Sequence, residues 1–496
     1  MISAYVREQK RYTRENLKII FNCNDTDVSR IIKRLKEYGI VKKVKNNSEQ
    51  RDMSDLLEQD IEISYEDEFS DKYLYVFTFV GIIIVEGCVL KCYPKYLLST
   101  ETPKEQLKQI IKVLQHHNSS EQVIRMYGND EKTSSFNRLS IITFFLNDYF
   151  ENDLYTNNRE IVEMNGMGEI LWDKTINNTF PLMKNNKPYY FEYLTRKSVN
   201  DRNDYFMRLH KFLLTKCSKE LENADLLDLL DIQGVELSDE TIDDFGDEDY
   251  ILYRIQRELD VQFNTRKQEV LKTMASLISD NGSLDDVESF SVYGTNSFNL
   301  VWEDVCADVM NNQLHTRLRD LNLPSKLTIP NEKKHKDTDE LISIIEKPQW
   351  IGYNNDGSTF EKEAEKTLKP DLITIEEINS EYSFIILDAK YYTMQLENNK
   401  SLRGQPGVGD VTKQYLYQLA YKNFVEKNSI KYVKNCFLMP TENDCIVKKG
   451  KVKMDMFEWK KCRPQGGPPT AGPAERGAVG KEEHGSGWMA PFLSRV

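Results

Sequence analysis

No stretch of this 496-residue sequence is apolar for long enough to cross a bilayer. The longest apolar run, residues 73–85, contains Thr78 and Gly81 and has the length of a strand hairpin. The opening residues, MISAYVREQKRYTREN, are charged and lack the apolar core of a signal peptide. Both absences predict a cytoplasmic protein with no membrane partner. The eight cysteines never form Cys-x-x-Cys, and the nearest pair, Cys88 and Cys92, has no histidines beside it. That spacing argues against structural zinc and for reduced thiols. No GxxxxGK[ST] loop is present, so the chain is not expected to hydrolyse nucleoside triphosphates itself. Positive charge is not in excess either: 66 Lys and Arg against 79 Asp and Glu leave a net −13. This excludes a chain basic all over, but not a local basic patch that meets nucleic acid.

What remains is ordinary for a globular chain, 40% hydrophobic and 29% charged, with length for two or three domains. We read a multidomain α+β protein: an N-terminal winged-helix-like domain over 1–95, a mixed, mostly helical middle over 96–290, and a C-terminal α/β domain over 291–457. In the first segment, TRENLKIIF is followed by NDTDVSRIIKRLKEYGI. The second stretch opens on a cap cluster, carries Val28, Ile31, Ile32 and Leu35 at helical spacing, and stops at Gly39. Strand-like runs follow, with a turn expected near Gly81, and helix–helix–hairpin is the order of a winged helix. Arg30, Lys33, Arg34, Lys36, Lys42, Lys43 and Lys45 form a local basic cluster suited to phosphate contact. The same pattern also fits a solvated helix face, or a winged helix that docks protein.

In the middle, His116 and His117 are adjacent, so a helix would send them in different directions. MNGMGEILWDKTI places a glycine pair before an apolar strand or helix start, a weak phosphate cradle without GxGxxG. The acidic run ELSDETIDDFGDEDY is expected to be an exposed connector, with a charged docking surface as the alternative. Residues 458–496 hold 7 of the 23 glycines and 5 of the 15 prolines, and no Asn or Ile. We read this tail as foreign to the rest and set it outside the fold.

The chemistry concentrates in KPDLITIEEINSEYSFIILDAKYY (369–392), two short apolar runs around a polar middle. If the runs pair antiparallel about a turn at Asn379–Ser380, Asp371 stands opposite Asp388, and both acids lie at one end of neighbouring strands. Period-two alternation puts Lys390 on the face of Asp388 and turns Ala389 away, leaving its carbonyl near the acids. Two carboxylates and a carbonyl are hard oxygen ligands of the kind Mg²⁺ takes. A cation held there stabilises charge on a phosphate and acidifies a bound water, and a neighbouring lysine can orient that water. Without a cation the carboxylates repel one another.

These residues resemble the PD-(D/E)xK nuclease motif, with PD at 370–371 and DAK at 388–390. The resemblance implies a further glutamate from an upstream helix. FNLVWEDVCADVMNN offers Glu303, preferred by motif position over the adjacent Asp304. It also implies a Gln and a Tyr on the next helix: GDVTKQYLYQLAYKNF supplies Gln414, Tyr417 and Gln418, with Lys413 as a phosphate contact. Gln414 and Tyr417 also fit a plain helix packing face, and Glu303 a surface position. Over most of 1–457 the chain resembles the LlaJI family of restriction endonucleases, and GEILWDKTI resembles a segment of McrC-type nuclease subunits. That likeness implies an antiviral restriction system: double-stranded DNA cut at or near a specific sequence, Mg²⁺ at the site, protecting DNA methyltransferases, and a separate McrB-like AAA+ GTPase that alone would use GTP. Two other readings stand beside it. One is a McrC-like subunit acting on modified DNA; the other is a catalytically inactive winged-helix regulator, which the intact Asp-Asp-Lys set argues against.

Overall fold

Alternating apolar residues make a strand only when a partner covers one face, and the 372–389 stretch has both partner and cover. Leu372–Ile378 and Glu381–Ala389 run antiparallel, Leu372 opposite Leu387 and Ile378 opposite Glu381. Ile373, Ile375, Phe384 and Ile386 share one face and are buried against Tyr417, Tyr421 and Phe424. Each such side chain removed from water contributes about 1.5–3 kcal/mol. Tyr432–Leu438 lies parallel to the second hairpin strand, Ile386 beside Asn435 and Asp388 beside Phe437. A tight turn cannot join parallel neighbours; the helix Val408–Lys427 makes the crossover and packs on both strands.

The structure, a computed structural model, describes residues 1–45, 73–127, 137–200, 204–280, 282–284, 286, 289–324, 326–330, 334–378, 381–443, 446–454 and 486–489. The turn at Asn379–Ser380, Lys45's side chain and most of the 458–496 tail therefore lie outside what is described. Of that tail, Ser486–Met489 pairs parallel with Tyr432–Leu438 and antiparallel with Lys451–Val452, completing a five-stranded sheet. Setting the tail outside the fold on composition thus fails for these four residues, because ladder bonds join backbone groups whatever the side chains.

Contacts gather the chain into two compact units: Met1–Ala4, Ile82–Lys91 and Ser119–Tyr293 in one, Tyr5–Gly81, Cys92–Asn118 and Gly294–Val496 in the other. The second unit holds the five-stranded sheet and, near its start, the helices Arg14–Phe21 and Asp25–Glu37. Asn24 caps the latter by accepting from the Thr26 and Asp27 N–H groups, and Val28, Ile31, Ile32 and Leu35 are its buried stripe. Gly39 then takes φ +68°, a left-handed conformation that ends the helix. Arg11–Tyr12, Tyr73–Phe77 and Val41–Lys45 form a three-stranded antiparallel sheet beside this helix pair.

The turn expected near Gly81 falls elsewhere. Gly81 lies inside the strand Val80–Val85, where Gly294 passes so close that a Cβ on it would stand 2.2 Å from the Val80 carbonyl oxygen. The reversal is at Glu86–Gly87, both at positive φ, before the strand Cys88–Tyr93.

The first unit packs the helices Arg138–Asn152, Tyr205–Asn223, Glu248–Val261 and Thr265–Ser279. Inside it, buried Arg138 meets Glu220 at 2.6 Å and Asp280 at 3.1 Å. Asn158–Met164, Leu194–Asn200 and Glu169–Ile170 make a small sheet next to the short helix Trp172–Asn178. Gly168 lies on Arg196, where a Cβ would fall 2.0 Å from the carbonyl oxygen, so this glycine serves close strand approach. No described helix is long and apolar enough to cross a membrane.

Candidate active site

Continuing the hairpin register one step beyond Leu372↔Leu387 sets Asp371 opposite Asp388, at the end of the sheet where Val408–Lys427 begins. Asp388 is 4% exposed, and the two carboxyls are near enough that each shifts the other's titration. Asp371 Oδ2 also accepts from the Ala389 N–H at 3.0 Å, so it is the amide of Ala389 that is seen to engage the pair. Lys390 follows on the face of Asp388, its Nζ 2.7 Å from Asp388 Oδ2 and 3.8 Å from Asp410 Oδ1.

The crossover helix supplies the roof. Asp410 in its first turn accepts from the Gly407 N–H at 3.2 Å. One turn on, Gln414 is 1% exposed, and neither its amide oxygen nor its nitrogen has a hydrogen-bond partner. Tyr417, on the same helix face, donates its hydroxyl to the Lys369 carbonyl at 2.9 Å and so pins the backbone leading into Asp371. Glu303 enters from Phe298–Val309, half-buried, and is felt by both Asp371 and Lys390; its neighbour Asp304 is exposed.

The electrostatics are those of too many acids in too little water. Burial raises the Asp388 carboxyl well above the ordinary range and repulsion from Asp371 adds to it, with Lys390 opposing. Asp371 is raised by burial too, Lys390 opposing and Glu303 adding to the rise. Burial also raises Glu303. For Lys390, burial works against the charge, but Asp388 and then Asp371 outweigh it and hold the ammonium on. The Tyr417 hydroxyl is pushed up to about 12, by burial first and the two aspartates next.

Among the described residues no three of His, Cys, Asp and Glu are already gathered as metal ligands. The residues nonetheless suit a hard cation. Two buried carboxyls resist ionising side by side, and a hydrated divalent ion held between them would offset that repulsion.

The structure thus brings Asp371, Asp388, Ala389, Lys390 and Glu303 together, with Tyr417 on the backbone before Asp371; Gln414 lies on the helix face of Asp410 and Tyr417, its backbone carbonyl accepting from Asn435 Nδ2 at 3.3 Å. Lys413 is exposed on the outer side of the same helix. Arg30, Lys33, Arg34, Lys36, Lys42 and Lys43 form a separate group on Asp25–Glu37 and the strand after it. There Lys33, Lys36 and Lys42 are exposed, and Arg30 pairs with Asp27 at 3.1 Å. Sequence reasoning missed Asp410 and Lys369. An acid three residues after Gly407, at a helix start, was a usable signal for the first; Lys369 had none beyond adjoining PD.

A family model described as LlaJI restriction endonuclease matches residues 79–340 and 334–462. The Bacillus subtilis (strain 168) protein named Type II restriction enzyme BsuMI component YdjA is 28% identical over 411 residues, covering 80% of this chain and 79% of that protein. Two solved assemblies from Thermococcus gammatolerans are distant likenesses. One is a half-complex of McrB AAA+ hexamers with bound McrC, with TM-score 0.35, 12% identity and coverage of 91% and 92%. The other is the McrBC complex, with TM-score 0.25, 11% identity and coverage of 63% and 88%. Similarity at that level transfers no geometry. The family model spans most of the sequence: the chain belongs to the LlaJI restriction endonuclease family.

Proposed function

We propose that this restriction-system nuclease subunit hydrolyses phosphodiester bonds of double-stranded DNA at or near a specific sequence, with Mg²⁺ held by Asp371, Asp388 and Glu303 and the Ala389 carbonyl as a further oxygen donor. The observation that carries the reading is the buried Asp371–Asp388 pair with Lys390 at 2.7 Å, at the mouth of one sheet. When bound, the ion would stabilise charge on the phosphate and lower the pKa of a water. Lys390 orients the attacking water and meets the phosphate's charge. Gln414 offers its unpartnered amide to water or phosphate, Tyr417 holds the Asp371 segment in place, and Lys413 adds a phosphate contact. The products are a 5′-phosphate and a 3′-hydroxyl.

The helix pair and sheet near the N-terminus serve as a winged-helix DNA contact through Arg30, Lys33, Arg34, Lys36, Lys42 and Lys43, supported by their grouping on one capped helix and its next strand. The partner is a McrB-like AAA+ GTPase, supported by the missing phosphate loop and the GEILWDKTI stretch; DNA methyltransferases of the same system protect the host. The test is plasmid cleavage with Mg²⁺, alone and with a neighbouring AAA+ subunit, with and without GTP, on methylated and unmethylated DNA. Wild type should cut and Asp388→Ala should bind DNA without cutting. No cleavage in any arm, with DNA still bound, would leave a winged-helix regulator.

A further inference from the structure

Lys390 is followed by Tyr391, two residues beyond the strand's end at Ala389 and 7% exposed. Its hydroxyl donates to the Glu8 carboxylate. Glu8, itself 7% exposed, also accepts from the Lys95 N–H at 3.2 Å, and its own N–H donates to the Tyr93 carbonyl at 2.9 Å. The Lys95 ammonium lies 4.6 Å over the Tyr391 ring, Tyr96 packs edge-on to it, and Phe298, at the start of the helix bearing Glu303, is 5.1 Å away. Glu8 is fixed in its turn: the next residue, Gln9, donates its N–H to Phe77 at 2.9 Å, and Phe77 belongs to the sheet flanking the N-terminal helix pair. A buried carboxylate is a poor choice for plain packing, since taking the charge from water costs more than an apolar side chain would.

We propose that Tyr391 and Glu8 form a positioning clamp that fixes the end of the Asp388 strand, and with it Lys390 and Glu303, to the segment that leads into the N-terminal helices. This rests on the nuclease reading above. Neither residue touches the reacting atoms; Tyr391 acts through Lys390 and through Phe298.

The test uses the full chain with Tyr391→Phe, Glu8→Gln and Glu8→Ala, and reads single-turnover cleavage, DNA binding and the Mg²⁺ concentration giving half-maximal thermal stabilisation. A hydrogen bond to a charged group corresponds to about tenfold or more in rate. Tyr391→Phe and Glu8→Ala should each lose that much, with DNA affinity unchanged and the Mg²⁺ midpoint raised severalfold. Glu8→Gln, still able to accept from the hydroxyl, should keep most of the rate, and the double variant Glu8→Ala/Tyr391→Phe should be no slower than either single. Wild-type rate and Mg²⁺ midpoint in Tyr391→Phe overturn the clamp. So does a slower rate with an unmoved midpoint and a matching loss of folded protein, which marks a packing role. A wild type that binds Mg²⁺ but cuts nothing leaves the midpoint as the deciding measurement. A wild type that neither cuts nor responds to Mg²⁺ overturns the nuclease reading itself, a different result from either clamp failure.

Discussion

Replacing Asp388 by Asn should stabilise the metal-free protein while abolishing cleavage. The wild-type pair is buried, Asp371 and Asp388 repel, and both carboxyls are raised, so at pH 8 folding carries the cost of ionising them in place. Each unit by which a pKa is raised is worth about 1.4 kcal/mol, and like-charged carboxylates sharing a buried site shift by one unit or more. Against this, the Lys390 ammonium at 2.7 Å loses one charged partner while Asp371 and Asp410 remain, at a cost of about 1 kcal/mol. The net expectation is a gain of about 1–2 kcal/mol at pH 8 without metal. The sign with pH is fixed by linkage. A carboxyl raised on folding contributes stability that is fully present below its unfolded value, about 3.9, and is lost as pH rises through the folded one. The advantage of Asp388→Asn should therefore shrink as pH falls toward about 4, and Mg²⁺ at pH 8 should restore the wild type but leave the variant unmoved. Thermal unfolding of both proteins at three pH values, with and without Mg²⁺, reads all of this. A variant less stable than wild type at pH 8, or an advantage indifferent to pH, would refute the account.

Three further outcomes are expected. Lys33→Ala with Arg34→Ala should lower the salt slope of DNA affinity by about two, one per phosphate contact, and leave single-turnover chemistry intact; an unchanged slope in a binding titration assigns that face to a protein partner. His210 is fully buried, its Nδ1 accepts from the Tyr155 N–H at 2.9 Å, and burial, then Arg266, lowers it to about 3. Its stability contribution is present above about pH 6.5 and lost on acidification at about 1.4 kcal/mol per unit, so His210→Gln should flatten the decline between pH 6.5 and 5, and an identical decline in acid unfolding curves would count against it. Glu220→Gln leaves buried Arg138 with Asp280 as its remaining acidic partner among the described residues, and should cost about 3 kcal/mol in chemical denaturation; a loss under 1 kcal/mol would show that water or Asp280 compensates.

The site was legible where chemistry and local geometry obey the same period. Asp371 and Asp388 sit at the outer ends of apolar runs, and strand alternation alone sets them opposite each other and puts Lys390 on the shared face. Glu303 could be preferred to Asp304 only through the family pattern; in the structure helix geometry turns one toward the acids and the other to solvent. Where both strand faces are exposed the alternation signal disappears. Gln349–Tyr353 and Thr359–Glu363 pair as a hairpin, yet all but Gly352 are exposed, and the stretch reads as a polar span.

The contacts that escaped the sequence are of another kind. Glu8 and Tyr391 are 383 positions apart, and neither breaks a local rule: one is an acid near a turn, the other an aromatic after a strand. Long-range polar pairing leaves no periodic trace, because it satisfies the demand of one buried carboxylate rather than the repeat of an element. Composition misleads in the opposite direction at Ser486–Met489, where a stretch unlike the rest of the chain still joins the sheet through its backbone. The acids of the site lie between these cases. Their positions follow the strand period, but burying them together violates the preference of charge for water, and such a violation is tolerated where function requires it. If Asp388→Asn stabilises the protein and silences it, the same two oxygens account for both results.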